Sequence, residues 1–318
     1  MDTFSGKRAV VTGGGSGMGR ELVIQLTAEG CHVATCDVSP VGLAETLARA
    51  EAGAPAGTKI STHICDVSNE AQVTDFRDEV VAAHGDVIEY LFNNAGIGGG
   101  GSFIADSRED WERTFGVDWW GVYYCTRAFL PRLIAAESAR LVNTSSVNGF
   151  WASLGPGIPH TAYSAAKFAV KGFSEAMIED LRVNAPHVGV SVVMPGHIGT
   201  DIVANSRRYF GRPEPDALTE EDLASTREQV QKRGFPADDL SSDQLREMVK
   251  MLEEGFRTTA PLDAAGAARI ILEGVRAGQW RILVGDDAHQ LDASVRANPE
   301  GAYDHTGVGL GTIFTTPS

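Results

Sequence analysis

Cations are scarce in this chain of 318 residues: 27 Lys and Arg stand against 42 Asp and Glu, a formal charge of −15 at pH 7. Nucleic acid and anionic membranes are bound by clustered Lys and Arg, so the balance argues against both as partners. Long apolar runs are missing too. No stretch approaches the roughly 18 apolar residues of a membrane-spanning helix, so none is expected. The opening MDTFSGKRAVVTGGG lacks the charged-then-apolar layout of a signal peptide, and the expected location is the cytoplasm. Cysteine is sparse. Cys31, Cys36, Cys65 and Cys125 have no C-x-x-C spacing and sit among apolar residues, so they read as reduced core side chains. The eight histidines form no H-E-x-x-H pattern, and no metal is expected. Asp286, Asp287 and His289 read as a solvated loop.

What the chain does have is alternation. Apolar, β-rich runs at 8–12, 32–36, 59–64, 87–92, 140–145, 188–194 and 281–285 alternate with helix-length segments, for instance 19–29, 69–84, 110–135 and 162–184. Nearly continuous apolar strands are those of a parallel sheet covered on both faces. The regular alternation predicts an α/β fold, a doubly wound parallel sheet in one domain over 1–318.

Residues 204–260 break the pattern, being polar, charged and without a good strand. Within them Ser241–Gln244 has the form of a capping box, and Leu245, Met248, Val249, Leu252 and Phe256 recur at helical spacing. Two readings are open: a surface helix packed on the sheet, or an inserted helical lid over a substrate cleft, because long insertions are often functional. The Gly-rich end, 300–318, reads as a tail, either disordered or reaching a neighbouring subunit.

Directly after the first strand, T-G-G-G-S-G-M-G (12–19) opens a helix. Glycines in that place allow a tight turn and let the backbone approach a pyrophosphate held at the helix N-terminus. No G-K-[ST] follows, which argues against a nucleotide triphosphatase loop. Asp37 lies 18 residues after Gly19, at the end of the second strand. A carboxylate there accepts from ribose hydroxyls and repels a 2′-phosphate, favouring NAD over NADP; the plainer reading is a turn or cap. Further on, Tyr163 and Lys167 stand four apart on one helix face. A free tyrosine, with a pKa of about 10, is too weakly acidic for base catalysis at neutral pH, and a neighbouring ammonium favours its phenolate. Ser146, 17 residues before Tyr163, supplies a hydroxyl able to hold a carbonyl or alcohol oxygen.

Taken together, TGGGSGMG, CDV (65–67), NNAG (93–96), NTSS (143–146), YSAAK (163–167) and PGHIGT (195–200) resemble the short-chain dehydrogenase/reductase family, in order and over about residues 5–203. The resemblance implies a Rossmann-like fold with a nicotinamide cofactor, here NAD. It implies that Gly13, Ser16, Gly17, Met18 and Gly19 bind the dinucleotide, with Asp37 on the ribose and Asp66 and Val67 at the adenine. Asn94, Ala95 and Gly96 would lie beside the cofactor, and Pro195, Gly196, Ile198 and Thr200 around the nicotinamide. Tyr163 would be the acid/base, Lys167 would bind the nicotinamide ribose and depress the tyrosine pKa, and Ser146 would orient the substrate oxygen. Asn93 and Pro195 also admit a purely turn-shaping role.

Two departures from the family pattern stand out. The segment 147–162 is longer than usual, and its Trp151, Leu154 and Ile158 are candidates to line the substrate pocket. In TFGVDWWGV (114–122), Asp118 stands where the family usually has an asparagine that serves the lysine and tyrosine through a water relay. Aspartate accepts hydrogen bonds but lacks the amide donor and carries charge. Asp118 is therefore a working relay member, a structural ion-pair partner, or the mark of weakened activity. Trp119 and Trp120 read as helix packing or subunit interface. The expected function is NAD-dependent interconversion of a secondary alcohol and a ketone on a bulky hydrophobic small-molecule substrate, aryl or steroid-like. A 3-oxoacyl thioester reductase and an NAD-binding regulator are the alternatives. The resemblance also implies a homodimer or homotetramer through the helices carrying Asp118 and Tyr163.

Overall fold

In the computed structural model, which describes residues 3–99, 101–155, 158–232, 237 and 239–304, the apolar runs become strands and the segments between them helices. The first part alternates strictly: β1 (Arg8–Thr12), α1 (Gly17–Ala28), β2 (His32–Asp37), α2 (Pro40–Gly53), β3 (Ile60–Ile64), α3 (Glu70–His84) and β4 (Tyr90–Asn93). Next come α4 (Arg108–Phe115), a π-helical segment Gly116–Trp120, α5 (Gly121–Ile134), β5 (Ala139–Thr144), α6 (Thr161–Asn184) and β6 (Val188–Pro195). The remainder holds β7 (Ile198–Gly199), α7 (Ile202–Tyr209), α8 (Glu220–Lys232) and α9 (Ser242–Thr258). It closes with β8 (Leu262–Asp263), α10 (Ala264–Arg276), β9 (Arg281–Val284) and α11 (Asp286–Ala297).

The main sheet runs β3-β2-β1-β4-β5-β6-β9 with every ladder parallel. Chain order reverses between β1 and β4, so Thr12 and Asn93 end neighbouring strands whose following loops diverge. That is the crevice in which open α/β sheets bind ligands. Both faces are covered. Leu22, Val23 and Leu26 of α1 pack with Ile271, Leu272 and Val275 of α10 on one side. Phe76 and Val80 of α3, Phe129 and Leu133 of α5, and Met177 and Leu181 of α6 fill the other. The four cysteines are free and buried, as their apolar surroundings predict. No helix of the described residues is long and apolar enough to cross a membrane.

The structure corrects the sequence reading in two places on this scale. The helix expected over 110–135 is interrupted: the Gly121 N–H donates to the Gly116 carbonyl, five residues back, and makes the π turn that contains Asp118. Asp286, Asp287 and His289 are no solvated loop but open α11. Gly285, at φ 103°, turns the chain out of β9, and both carboxylates lie in the first turn of the helix, where they complement its positive end. Asp287 Oδ2 also accepts the His197 N–H at 2.6 Å, tying α11 to the end of β6.

Residues 204–260 fold as helices around a small core of Leu218, Leu223 and Leu245, with Met248 and Val249 against it. The capping box forms: Ser241 Oγ accepts the Gln244 N–H at 3.3 Å and Gln244 Oε1 accepts the Ser241 N–H at 2.7 Å. Leu252 instead is exposed. The His197 ring donates from Nε2 to the Phe256 carbonyl at 2.6 Å and anchors α9 beside β6. Residues 305–318 of the expected tail lie outside the described residues.

Phe129 is fully buried and meets Phe76 edge-to-face at 5.5 Å. Phe129→Ala is expected to cost about 3–5 kcal/mol, measured by urea unfolding, through lost burial and the cavity left behind.

Candidate active site

The glycine loop is shaped by close approach. A Cβ on Gly13 (φ +71°) would lie 2.7 Å from Ala95 Cα, and one on Gly19 would lie 2.0 Å from the Gly13 carbonyl oxygen. Only glycine lets the backbone pass so near. Helix α1 starts without the usual capping: its N-cap Ser16 makes no side-chain cap and the first turn holds no acid. Its leading N–H groups therefore suit an external anion such as a pyrophosphate. Met18 packs partly buried on the core below, and Thr200 leans on Gly17, its Cγ2 3.2 Å from where a Cβ would be. Asp37 ends β2 beside this loop. Its Oδ2 accepts the Gly15 N–H and its Oδ1 the Ser39 N–H, both at 2.9 Å, so the carboxylate shapes the loop and turn itself.

The loop after β4 closes the other side. Thr12 Oγ1 accepts the N–H groups of Asn94 and Ala95, each at 3.0 Å, and Asn94 Nδ2 donates to the Thr12 carbonyl at 3.1 Å. Asn93 points elsewhere, donating to Thr126 Oγ1 and Asn143 Oδ1 in a buried network between strand ends. Asp66 Oδ1 accepts from the Ser68 N–H and hydroxyl, and Val67 is buried under Gly121, whose Cβ would clash with it at 2.7 Å. Pro195 ends β6, the Gly196 N–H donates to Val284, and Ile198 is buried in β7.

Lys167 and Asp118 meet at the centre. Lys167 Nζ lies 3.1 Å from Asp118 Oδ1 with both side chains buried. It also donates to the Thr144 carbonyl at 3.2 Å. Asp118 Oδ1 further accepts the Ile97 N–H at 3.2 Å, while Oδ2 is buried without a partner among the described residues. Asp118 lies buried beside Val117 within the π segment, and π segments often sit at functional sites. Gly96 must stay bare: a Cβ there would come within 2.8 Å of Asp118 Oδ1 and 3.2 Å of Lys167 Nζ.

Tyr163 stands one helical turn before Lys167, whose Nζ is 5.3 Å from its ring centroid, and Ser146 stands near it just past the end of β5. Burial pushes the tyrosine pKa above its usual value; the lysine charge and Ser146 oppose this, and the Asp118 charge adds to it. For Lys167, burial works against the charge, but Asp118 and then Tyr163 outweigh it and hold the ammonium above the ordinary lysine value. Burial likewise raises the Asp118 carboxyl, with Lys167 and the Ile97 N–H pulling the other way.

Several neighbours escaped the sequence reading. Asn205 Nδ2 donates to Ser16 Oγ at 3.0 Å, Ser206 Oγ accepts the Gly98 N–H at 2.8 Å, and the Tyr209 hydroxyl donates to Asp66 Oδ2 at 3.2 Å. Helix α7 thus lies across the glycine loop and the Asp66 turn. The i, i+4 spacing of Asn205 and Tyr209 was the one signal for it. The His160 ring packs 4.5 Å from that of Tyr163, and Thr161, by its N–H and hydroxyl, holds the Gly101 carbonyl. That contact sets the loop bearing the exposed Phe103 and Ile104 beside the start of α6. Trp151, expected at the substrate pocket, is instead fully buried with Ala288, Leu291 and Ala302, its Nε1 donating to the Ala302 carbonyl at 2.8 Å. A large apolar side chain is better satisfied under the C-terminal segment than facing a cleft. Leu154 and Ile158 are partly exposed.

Known proteins resemble this chain over most of its length. A family model described as short chain dehydrogenase matches residues 7–209. A protein of Mycobacterium tuberculosis named as the oxidoreductase SadH is 34% identical over 296 residues, 93% of this chain and 92% of its own. The meso-2,3-butanediol dehydrogenase of Serratia marcescens is 36% identical over 56% of this chain and 66% of its own. A crystal structure of a short chain dehydrogenase/reductase from Burkholderia phymatum in complex with NAD shares 32% identity, covers 95% of each chain and superposes with a TM-score of 0.73.

Removing the Asp118 carboxylate strands a buried ammonium. Asp118→Ala is expected to lower unfolding stability by about 3–5 kcal/mol, and Asp118→Asn, which keeps an acceptor for Lys167 and Ile97, by less than half of that. Chemical denaturation of the two variants checks the difference.

Proposed function

Because this chain belongs to the short-chain dehydrogenase family, we propose that it is an NAD-dependent oxidoreductase interconverting a secondary alcohol and a ketone. The observation that carries the reading is Tyr163 with Lys167 Nζ over its ring and Asp118 paired to that ammonium, beside Ser146 just past the end of β5. The uncapped start of α1 and the bare approach at Gly13 and Gly19 fit a dinucleotide pyrophosphate. The Asp37 carboxylate beside the loop favours a free ribose hydroxyl over a 2′-phosphate. NAD in the Burkholderia structure is in keeping with that choice. When bound, the nicotinamide accepts or supplies the hydride.

The chain's own groups handle the proton. Ser146 holds the substrate oxygen by a hydrogen bond. Tyr163 takes the hydroxyl proton during oxidation and returns it during reduction. Lys167 stabilises the phenolate through its positive charge. Asp118 keeps Lys167 charged and in place, and its negative charge opposes the phenolate. Tyr163, held above its usual pKa, is poised as a proton donor, so alcohol oxidation is expected to gain as pH rises into the alkaline range.

The substrate reading is bulky and hydrophobic. Phe103 and Ile104, exposed on the loop tied to Thr161, and the partly exposed Leu154 and Ile158 give apolar surface on the side of the site where Tyr163 stands. Helices α7–α9 serve as the inserted lid, with α7 lying across the cofactor face. The secondary hydroxyls in the named substrate of the Serratia relative support the alcohol class. Exposed Trp120 on the π segment and Phe168 on α6, with Trp119 edge-to-face on Phe173, support a homodimer or homotetramer through these helices.

The test follows NADH formation over a series of secondary alcohols that includes aryl carbinols. Turnover with NAD is expected. Tyr163→Phe should lower it by about 10²–10⁴-fold, and Asp118→Asn should leave it within about tenfold, about 1.4 kcal/mol of barrier. Cofactor binding without turnover on any of these alcohols or the matching ketones would indicate an NAD-binding regulator instead.

A further inference from the structure

The opposite edge of the sheet, where the parallel strands begin, carries a second constellation. Arg8 opens β1, His32 opens β2, Lys59 directly precedes β3 and His84 closes α3. With Gly6 these residues line a cavity of about 340 Å³, and no acid is among them although the chain carries a net charge of −15. From Arg8 to Thr12, β1 spans about 13 Å, so the cavity is separate from the glycine loop.

Hydrogen-bond polarity shows what the cavity offers. The Lys59 N–H donates to His32 Nδ1 at 2.9 Å, which places the His32 ring proton on Nε2 and leaves that N–H as a donor. The Lys59 ammonium makes no ion pair among the described residues. Arg8 is partly committed, with Nη1 on the Val87 carbonyl at 3.0 Å and Nε 3.8 Å from Glu89. A chain of contacts then reaches His84. Glu79 Oε2 lies 2.6 Å from His63 Nδ1, and Ser61 Oγ lies 2.8 Å from both His63 Nε2 and His84 Nε2. The carboxylate only accepts, so His63 carries its proton on Nδ1; with His63 neutral, the Ser61 hydroxyl donates to His63 and accepts from His84 Nε2–H. His84 Nδ1 is then a bare lone pair, buried and without a partner among the described residues.

We propose that this cavity binds a tetrahedral oxyanion of the phosphate and sulfate class, either free or as the phosphate of a small phosphorylated metabolite. Lys59 supplies charge and His32 Nε2–H a hydrogen bond. Protonation of His84 Nδ1 on binding turns the orphaned lone pair into an N–H and adds a positive charge to the cavity lining. Without an anion that protonation is opposed by burial and then by His32, His63, Lys59 and Arg8, which together lower the His84 pKa to about 4. Of the acids nearby, Glu89 is engaged with Arg8, Glu79 with His63 and Asp86 with Arg132, and Glu51 lines the adjoining cavity. A bound dianion reverses the local sign and raises the His84 pKa, so binding takes up a proton and tightens as pH falls below neutral toward about 4.

Sulfate, dianionic throughout that range, is the probe. His84 is titrated by NMR in sulfate and in chloride at matched ionic strength, and sulfate affinity is measured by calorimetry in the wild type and in Lys59→Glu, a change at an exposed residue remote from Tyr163. Saturable binding is expected, with a His84 midpoint higher in sulfate by about one unit or more. Lys59→Glu should weaken sulfate binding by about tenfold or more without changing alcohol oxidation. Parallel titrations with inorganic phosphate and glycerol phosphate separate the two sources, the tighter ligand naming the one used. The proposal is overturned by non-saturable binding, by equal His84 midpoints in the two salts, or by unchanged sulfate affinity in Lys59→Glu.

Discussion

The contact between Lys167 Nζ and Asp118 Oδ1, 3.1 Å long and shut away from water, is the constraint around which the site is organised. A buried ammonium is tolerated only when paired and hydrogen-bonded. Here the carboxylate comes from the π segment, a further acceptor from the Thr144 carbonyl at the end of β5, and the lysine itself from α6. Three elements far apart in sequence are thereby fixed relative to one another. Gly96 has to be glycine because a side chain would enter the pair, and the Ile97 N–H completes the carboxylate's shell. The loop after β4 is bound to the Lys–Asp pair in this way and to the glycine loop through Thr12.

Charge is distributed unevenly over the sheet. The strand C-termini carry the proposed cofactor face, where Asp37 and Asp66 stand, and the strand N-termini gather Arg8, His32, Lys59 and His84. An overall charge of −15 hides this local reversal, because a sum over the chain says nothing about which residues the topology places together. In a parallel sheet every strand start lies on one edge, so cations just before or at the start of three adjacent strands necessarily converge.

Much of this was legible in the sequence. The seven strands of the main sheet lie within a few residues of the apolar runs, because strands buried on both faces need continuous Val, Ile and Leu. The capping box at Ser241 and the four-residue step from Tyr163 to Lys167 were equally readable, since each depends only on local geometry. What escaped depends on tertiary placement. Apolar periodicity does not reveal a π turn of one extra residue, so the segment around Asp118 read as plain helix. Trp151 looked like a pocket residue because nothing nearby in sequence announced that Ala302, 151 residues later, would cover it. Asp286 and Asp287 looked like loop because helix starts and solvated turns favour the same residues. The reach of α7 to Ser16 and Asp66 has no local signature beyond one i, i+4 pair.

Asp118, a charge where the family usually has a neutral amide, adds its own negative charge to burial in opposing the Tyr163 phenolate, against the pull of Lys167. The most direct measurement is an ultraviolet difference titration of Tyr163 in the unliganded protein, isolated by subtracting the Tyr163→Phe spectrum, for the wild type and for Asp118→Asn. Ionisation is expected above the ordinary tyrosine value in the wild type and at clearly lower pH in Asp118→Asn, where the opposing charge is gone. An unchanged midpoint, or one that moves upward, would contradict it.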